Sequence, residues 1–203
     1  MKICKVKGCN CKVYARGYCN RHYKQIMKYD KIIRTTHDPN EIVIYDDYAE
    51  IVLYDKNCEE VARASIDIDD VSKVKEYKWH LDSNGYVMSN KQIRLHRLIM
   101  NPSDDKVVDH IDHNRLNNKS SNLRVCSKHQ NNMNTSLSRN STSGVIGVHF
   151  NKQRNKWQAH ITFNYKYIHL GLFDTKEEAI EARKQAEIEY FGEYRNQDEE
   201  DVS

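Results

Sequence analysis

The sequence predicts an α+β protein assembled from small modules rather than around one large core. Three observations carry this. The chain has 203 residues, of which only 38% are hydrophobic, and its mean hydropathy is −0.87; so polar a chain cannot fill a single large interior. Its apolar residues come in short alternating runs, the period of half-buried strands, and switch to a helical period near the C-terminus. Its charge is segregated: ten Lys/Arg against one acid in residues 1–34, five against none in 139–171, and four against eleven in 172–203. Basic segments separated by acidic ones suit a modular binder of nucleic acid, with the acidic parts facing away from phosphates.

Residues 1–30 read as a zinc finger. Cys4, Cys9, Cys19 and His22 supply three sulfurs and an imidazole, enough to close a tetrahedral zinc site. Cys11 could replace Cys9, but the preceding Gly8 gives Cys9 the tight turn a ligated sulfur needs, and Gly17 does the same near Cys19. The segment is too poor in large apolar residues to fold on burial alone, so Zn2+ would drive its folding. Lys5, Lys7, Lys12, Arg16, Arg21, Lys24 and Lys28 then decorate a nucleic-acid-facing surface. The segment resembles small zinc fingers that precede nuclease domains in phage proteins.

Residues 31–41 form a linker, with Thr35, Asp38, Pro39 and Asn40 breaking regular structure. Residues 42–94 read as a β-rich scaffold: strands at 42–45, 51–54 and 61–66, a short helix within 69–78, then a hairpin of 86–88 with 92–95. On that reading His96 and Arg97 sit on the end of a strand, beside the segment that follows.

Residues 95–134 hold the chemistry. From Asp109 to Asn131 the chain is rich in acid, imidazole and amide groups and carries almost no bulk apolar content. Asp109 and His110 are neighbours, so on an extended strand they point to opposite sides. Residues 122–125 read as a short strand or turn entering a helix that carries Asn131 back toward Asp109. A neutral imidazole can take a proton from water near pH 7, and a hard cation on carboxylate and amide oxygens can stabilise phosphate charge. The residues Asp109-His110-Ile111-Asp112, Asn114, Leu116-Asn117-Asn118, Asn122-Leu123-Arg124 and Asn131, with Leu95-His96-Arg97-Leu98-Ile99 upstream, resemble the HNH endonucleases. The resemblance implies a ββα-metal nuclease unit. In it His110 is the general base, Asp109 and Asn131 hold Mg2+ or Mn2+, and Asn122 braces the loop. Asn131 stands where many members carry histidine, which makes this an H-N-N variant. His113 and His129 read as phosphate contacts or solvated rings.

Residues 135–143 form a polar linker and residues 144–195 a three-stranded antiparallel sheet followed by a helix. Val148 and Phe150, then Trp157, Ala159, Ile161 and Phe163, then Ile168, Leu170 and Leu172 share an apolar face. The opposite face is polar, aromatic and nearly free of acid. Thr175 and Glu178 form a capping box, Ala179, Ala182 and Ala186 make a slim helix stripe, and Gly192 stops the helix. Gly147-Val148, Lys156-Trp157, Ala159, Ile161, Leu170-Gly171, Phe173-Asp174-Thr175 and Glu177-Glu178-Ala179 resemble the DNA-binding domain of ethylene-response factors. That family lays its polar sheet face in the major groove. Carried over by position, contacts come from His149, Asn151, Arg154, His160, Thr162, Tyr167 and His169, with Arg97 from the nuclease unit. The family's arginines at the positions of His149 and Thr162 are missing here, which removes the basis for a guanine-rich target. Residues 196–203 are an acidic tail.

Together these imply a metal-dependent DNA endonuclease of the homing type from a phage or mobile element. It would nick one strand of double-stranded DNA as a monomer on DNA, in the cytoplasm of a bacterial host. The rival readings are a non-catalytic DNA-binding regulator and a restriction or defence nuclease. No apolar run is long enough to span a membrane, and no signal-peptide core is evident.

Overall fold

The computed structural model describes residues 2–6, 9–135 and 143–196. Gly8, Lys7, most of the linker read at 135–143 and nearly all of the acidic tail lie outside the described residues. The chain divides into two compact units, residues 1–95 and 96–203. The architecture is mixed helix and small antiparallel sheets, as an α+β reading requires. No helix among the described residues is long and apolar enough to cross a membrane.

The first unit opens with two β-bridges, Ile3 to Lys12 and Ala15 to Tyr18, followed by α1 (Asn20–Tyr29). Gly17 allows the turn that joins Ala15 to Tyr18: its φ is +85°, and a Cβ there would lie 2.1 Å from the Lys5 side chain. The segment after α1 has no regular structure but is tied down. Arg21 pairs with Asp38 at 2.6 Å, and Gln25 donates to the Ile33 carbonyl. A meander of β1 (Ile42–Ile44), β2 (Tyr48–Tyr54) and β3 (Glu60–Asp67) then buries Ala49, Ile51, Leu53, Ala64 and Ile66. After the short α2 (Val71–Val74) comes the hairpin of β4 (Trp79–Leu81) and β5 (Val87–Ser89). Asn40 joins hairpin to meander: its amide donates to the Val52 and Trp79 carbonyls and accepts from the Trp79 N–H.

The hairpin expected between 86–88 and 92–95 is different in the structure. Residues 92–94 contribute one bridge, Met88 to Arg94, and a helix α3 (Leu95–Met100) follows at once. Leu95, His96 and Ile99 recur at helical spacing and are all buried, so His96 and Arg97 lie on a helix rather than a strand.

In the second unit, β6 (Val107–His110) pairs antiparallel with β7 (Leu123–Cys126), Asp109 opposite Arg124 and His110 opposite Leu123. The short α4 (Lys128–Asn131) follows, opened by a capping box of Ser127 and Gln130. The C-terminal sheet consists of β8 (Val148–Asn151), β9 (Lys156–Phe163) and β10 (Lys166–Phe173), with β9 central. Helix α5 (Lys176–Phe191), capped by Thr175 and Glu178, packs its Ala179 and Ala186 on the sheet and ends at Gly192. One part of the alternation does not hold. A bulge between His169 and Gly171 shifts the register of β10, so Leu172 faces Gln158 and Phe173 faces Trp157. Leu172 therefore joins the polar face, and Phe173 fills the core beside Val148, Ala159, Trp157 and Leu170.

Gly147 fixes how closely α5 approaches the sheet. Its φ is +74°, and a Cβ there would meet the His160 carbonyl oxygen at 2.3 Å and the Arg183 side chain at 3.2 Å. The backbone and the buried Arg183 cannot both yield, so Gly147→Ala is expected to destabilise the protein by about 2 kcal/mol or more. Chemical denaturation of the two proteins measures this; equal midpoints would contradict it.

Candidate functional site

The acid- and amide-rich stretch forms a compact loop between β6 and β7, held by its own side chains. Asp112 Oδ1 accepts from the Asn114 N–H and from Asn122 Nδ2, each at 2.8 Å, and Oδ2 accepts from Asn117 Nδ2. Asn122 also donates to the Asn117 carbonyl, and its own oxygen accepts from the Asp112 N–H. Asn122 thus bridges both sides of the loop. Burial works against the Asp112 carboxylate, but the hydrogen bonds from Asn117, Asn114 and Asn122 outweigh it and hold it below the ordinary carboxylate range.

Asp109 and His110 lie at the end of β6, 8% and 5% exposed. The Asp109 carboxylate is used asymmetrically. Arg124 donates to Oδ2 from Nε at 2.9 Å and from Nη2 at 2.7 Å, and Asn134 Nδ2 donates to the same oxygen at 3.0 Å. Among the described residues all of its hydrogen bonds fall on Oδ2. A carboxylate held this way through one oxygen keeps Oδ1 for another electrophile. Burial pushes the His110 ring below the ordinary imidazole range, against the pull of the Asn118 hydrogen bond and the carboxylates of Asp112 and Asp109. The ring is therefore neutral, with a lone pair, at neutral pH.

Asn131 ends α4, which packs on β6 and β7. The amide that meets Asp109, however, is that of Asn134, one turn farther on, which also donates to the His110 carbonyl at 3.2 Å. Among the described residues no hydrogen bond joins the Asn131 side chain to Asp109. Arg97 donates to the Lys106 carbonyl at 3.0 Å. Sequence reasoning assigned no role to Arg124 or Asn134. The cross-strand register that sets Arg124 opposite Asp109 is the signal that finds the first; nothing in the local pattern separates Asn134 from Asn131, Asn132 and their neighbours.

Arg124 reaches farther. Its Nη1 donates to the Glu193 carbonyl, and its guanidinium lies over the Tyr194 ring at 5.1 Å. His129 of α4 meets Phe163 and Tyr165 at the tip of the β9–β10 hairpin, with centroids 6.0 and 5.4 Å away. The C-terminal sheet is thus seated on the elements that carry Asp109 and His110, and His129 is a packing ring rather than a solvated one.

On the polar face of that sheet, His149 and His160 meet edge-on at 5.7 Å and His160 stacks on Tyr167 at 4.8 Å. Gln158 donates to the Tyr167 hydroxyl and accepts from Asn151. His149, Arg154, Thr162, Tyr167 and His169 are exposed. Asn151 also shapes the β8–β9 turn, its oxygen accepting from the N–H groups of Gln153 and Arg154. Burial, then the charges of His149, Arg183 and His169, push His160 below the ordinary imidazole range. The unfolded chain then takes up a proton, below about pH 6.5, that the folded sheet resists; stability is intact above that pH and is lost as pH falls through the folded-state value. Thermal melting between about pH 7.5 and about pH 5 should therefore fall less for His160→Gln than for the native protein; equal falls would contradict this.

In the first unit, the sulfurs of Cys4, Cys9 and Cys19 and one nitrogen of His22 all lie within 4.8 Å of one another. His22 Nδ1 is 3.2 Å from Cys4 Sγ and 3.5 Å from Cys19 Sγ, and Cys9 and Cys19 sulfurs are 3.9 Å apart. A zinc tetrahedron with Zn–S near 2.3 Å has edges of roughly 3.5–3.8 Å, so the donor set fits such an ion. Cys11 is exposed and outside the cluster. Burial presses the Cys4 thiol upward, but hydrogen bonds from the Cys19 backbone and the His22 ring outweigh it and hold it at about 6; burial pushes Cys9 up to about 11.

A family model described as HNH endonuclease matches residues 95–133. An uncharacterized HNH endonuclease of Acanthamoeba polyphaga mimivirus is 35% identical over 140 residues, which cover 64% of this chain and 72% of that protein. Protein 3.8 of Escherichia phage T7 is 36% identical over 55 residues, 27% of this chain and 46% of that protein. No solved structure matches the chain.

Proposed function

This chain belongs to the HNH endonuclease family, and from that premise we propose that it is a homing-type DNA endonuclease that hydrolyses one phosphodiester bond per event in double-stranded DNA. The observation that carries the proposal is the pair at the end of β6: a neutral buried imidazole, His110, beside a carboxylate, Asp109, with three donors on one oxygen.

His110 takes the proton from the attacking water. Asp109, through Oδ1, and Asn131 would hold a divalent ion, Mg2+ or Mn2+, whose chemistry when bound is to stabilise charge on the phosphate and the departing oxygen. Arg124 and Asn134 orient Asp109 for that role, and Asn122 keeps the loop closed around His110. Opening the ester on the 3′-oxygen side leaves a 5′-phosphate and a 3′-hydroxyl. One such site per chain cuts one strand.

Residues 1–30, with zinc on Cys4, Cys9, Cys19 and His22, and residues 144–195 hold the duplex, and residues 95–134 cut it. His149, Arg154, His160, Thr162, Tyr167 and His169 face the bases and phosphates, with Asn151 shaping the turn beside them. The exposed, acid-poor face supports this assignment.

Incubation with supercoiled plasmid tests the proposal. With magnesium or manganese, nicked circles should accumulate, and chelation should stop them. Retained binding with no nicking under either metal would identify a binding protein instead.

A further inference from the structure

Three cations line one cavity of the first unit. The cavity measures about 320 Å³, at the small end for a ligand cleft, and lies among the segment after α1, the turn after β2 and strand β4. Arg34, Lys56 and Lys78 stand on its wall with Tyr54 and Trp79, and Asp55 is the one acid among the described residues there. Asp55 is already used. Its Oδ1 accepts from the N–H groups of Asn57 and Glu59 at 2.8 and 2.9 Å, and its Oδ2 accepts from Asn57 Nδ2 at 3.3 Å. Among the described residues Arg34, Lys56 and Lys78 pair with no carboxylate, although residues 41–82 carry twelve acids against five Lys/Arg. Other cations of this unit do pair: Arg63 with Glu50 and Glu60, and Lys73 with Asp70.

The Arg34 guanidinium is held in place. Nη2 donates to the Pro39 carbonyl at 2.6 Å, and Cζ lies 3.5 Å from the centroid of the Tyr54 ring. The N–H groups on Nε and Nη1 have no acceptor among the described residues. Lys78 is tied at its backbone by Asn90, whose N–H donates to the Lys78 carbonyl at 2.8 Å and whose side-chain oxygen accepts from the Lys78 N–H at 3.4 Å. Burial, then the charge of Arg34, press the Lys78 ammonium below the ordinary lysine range, against the pull of Asp38 and Cys58. The two cations repel each other across a partly closed space, and an anion between them removes that repulsion.

We propose that this cavity holds one phosphate group through Arg34, Lys56 and Lys78, and that the group belongs to the DNA backbone. A tetrahedral oxyanion accepts from several N–H donors at once, which suits a guanidinium and two ammonium groups that lack partners. The source of the phosphate rests on the reading of the chain as a DNA nuclease; the cavity's preference for phosphate does not. The scaffold, acidic as a whole, then touches the backbone at one point.

Two measurements on the full zinc-loaded chain test this. In the first, inorganic phosphate is exchanged for chloride at constant ionic strength and followed by 1H–15N NMR. The Arg34 Nε–H and Lys78 N–H signals should shift and saturate. The shifts should vanish in Lys78→Met, which keeps most of the side-chain length and loses the charge. In the second, duplex affinity is measured in calcium across salt concentration. Lys78→Met should weaken binding about 3- to 10-fold at about 50 mM salt and lower the slope of log K against log salt by about 1, equally for unrelated sequences. Lys56→Met, at an exposed position, should act in the same direction, and Lys78→Arg should keep the native slope. Lys75→Met removes an exposed cation outside the cavity and should leave the slope unchanged. Saturating phosphate shifts with a native slope in Lys78→Met would assign the cavity to free phosphate and overturn the DNA contact. A native slope with no phosphate shift would overturn the site. A native chain that binds no duplex would overturn the nuclease reading instead, and the phosphate titration still reads the cavity.

Discussion

Replacing His110 by alanine is expected to lower DNA cleavage by about 10²- to 10⁴-fold while leaving DNA binding unchanged, the span that a positioned general base contributes. The ring is buried between His96 and the Asn118 amide and is not on the exposed sheet face assigned to DNA. The loss should therefore appear in kcat and not in affinity. His110→Gln separates chemistry from packing: it keeps a polar side chain of similar reach and has no basic nitrogen, so it should fall as far as alanine. Plasmid nicking under single-turnover conditions, with binding measured in calcium, checks both. Nicking by either variant at the native rate would remove His110 from the reaction.

The second large effect is expected at the N-terminus. The purified protein should hold about one zinc per chain, and Cys19→Ser or a strong chelator should release it. Loss of a structural zinc removes on the order of 10 kcal/mol from so small a module. Little else can hold it: Met27, Tyr14 and Ile3 are exposed, and the buried residues of α1 are His22 and Gln25. Residues 1–30 should unfold, and DNA affinity should drop with them. The loop of Asp109 and His110 is held by its own amides, so its metal-dependent cleavage should persist on saturating DNA. A zinc content unchanged in Cys19→Ser would mean that the cluster does not bind zinc.

Much of this architecture is legible in the residues, for reasons that also explain the gaps. The β6-loop-β7 unit can be read because its partners are close in sequence and its amides are stapled to near neighbours. The strands of the C-terminal sheet follow from alternation up to His169. There a bulge, which has no compositional mark beyond Gly171, turns Leu172 to the polar face. Residues 92–95 alternate like a strand, yet Leu95, His96 and Ile99 bury together only on a helix. The partners of Asp109 are the hardest to see. Arg124 reaches it through strand register, and Asn134 is one of several asparagines after α4. The seat of His129 against Phe163 and Tyr165 joins residues more than thirty positions apart, beyond any local pattern.

The central claim is that a divalent ion sits on Asp109 beside a neutral His110. Anomalous diffraction from manganese in crystals of the protein tests it most directly. The account predicts a single peak in coordination distance of Asp109 Oδ1 and the Asn131 side-chain oxygen, lost in Asp109→Ala. A peak elsewhere, or Asn131 turned away with no ion at Asp109, would contradict it.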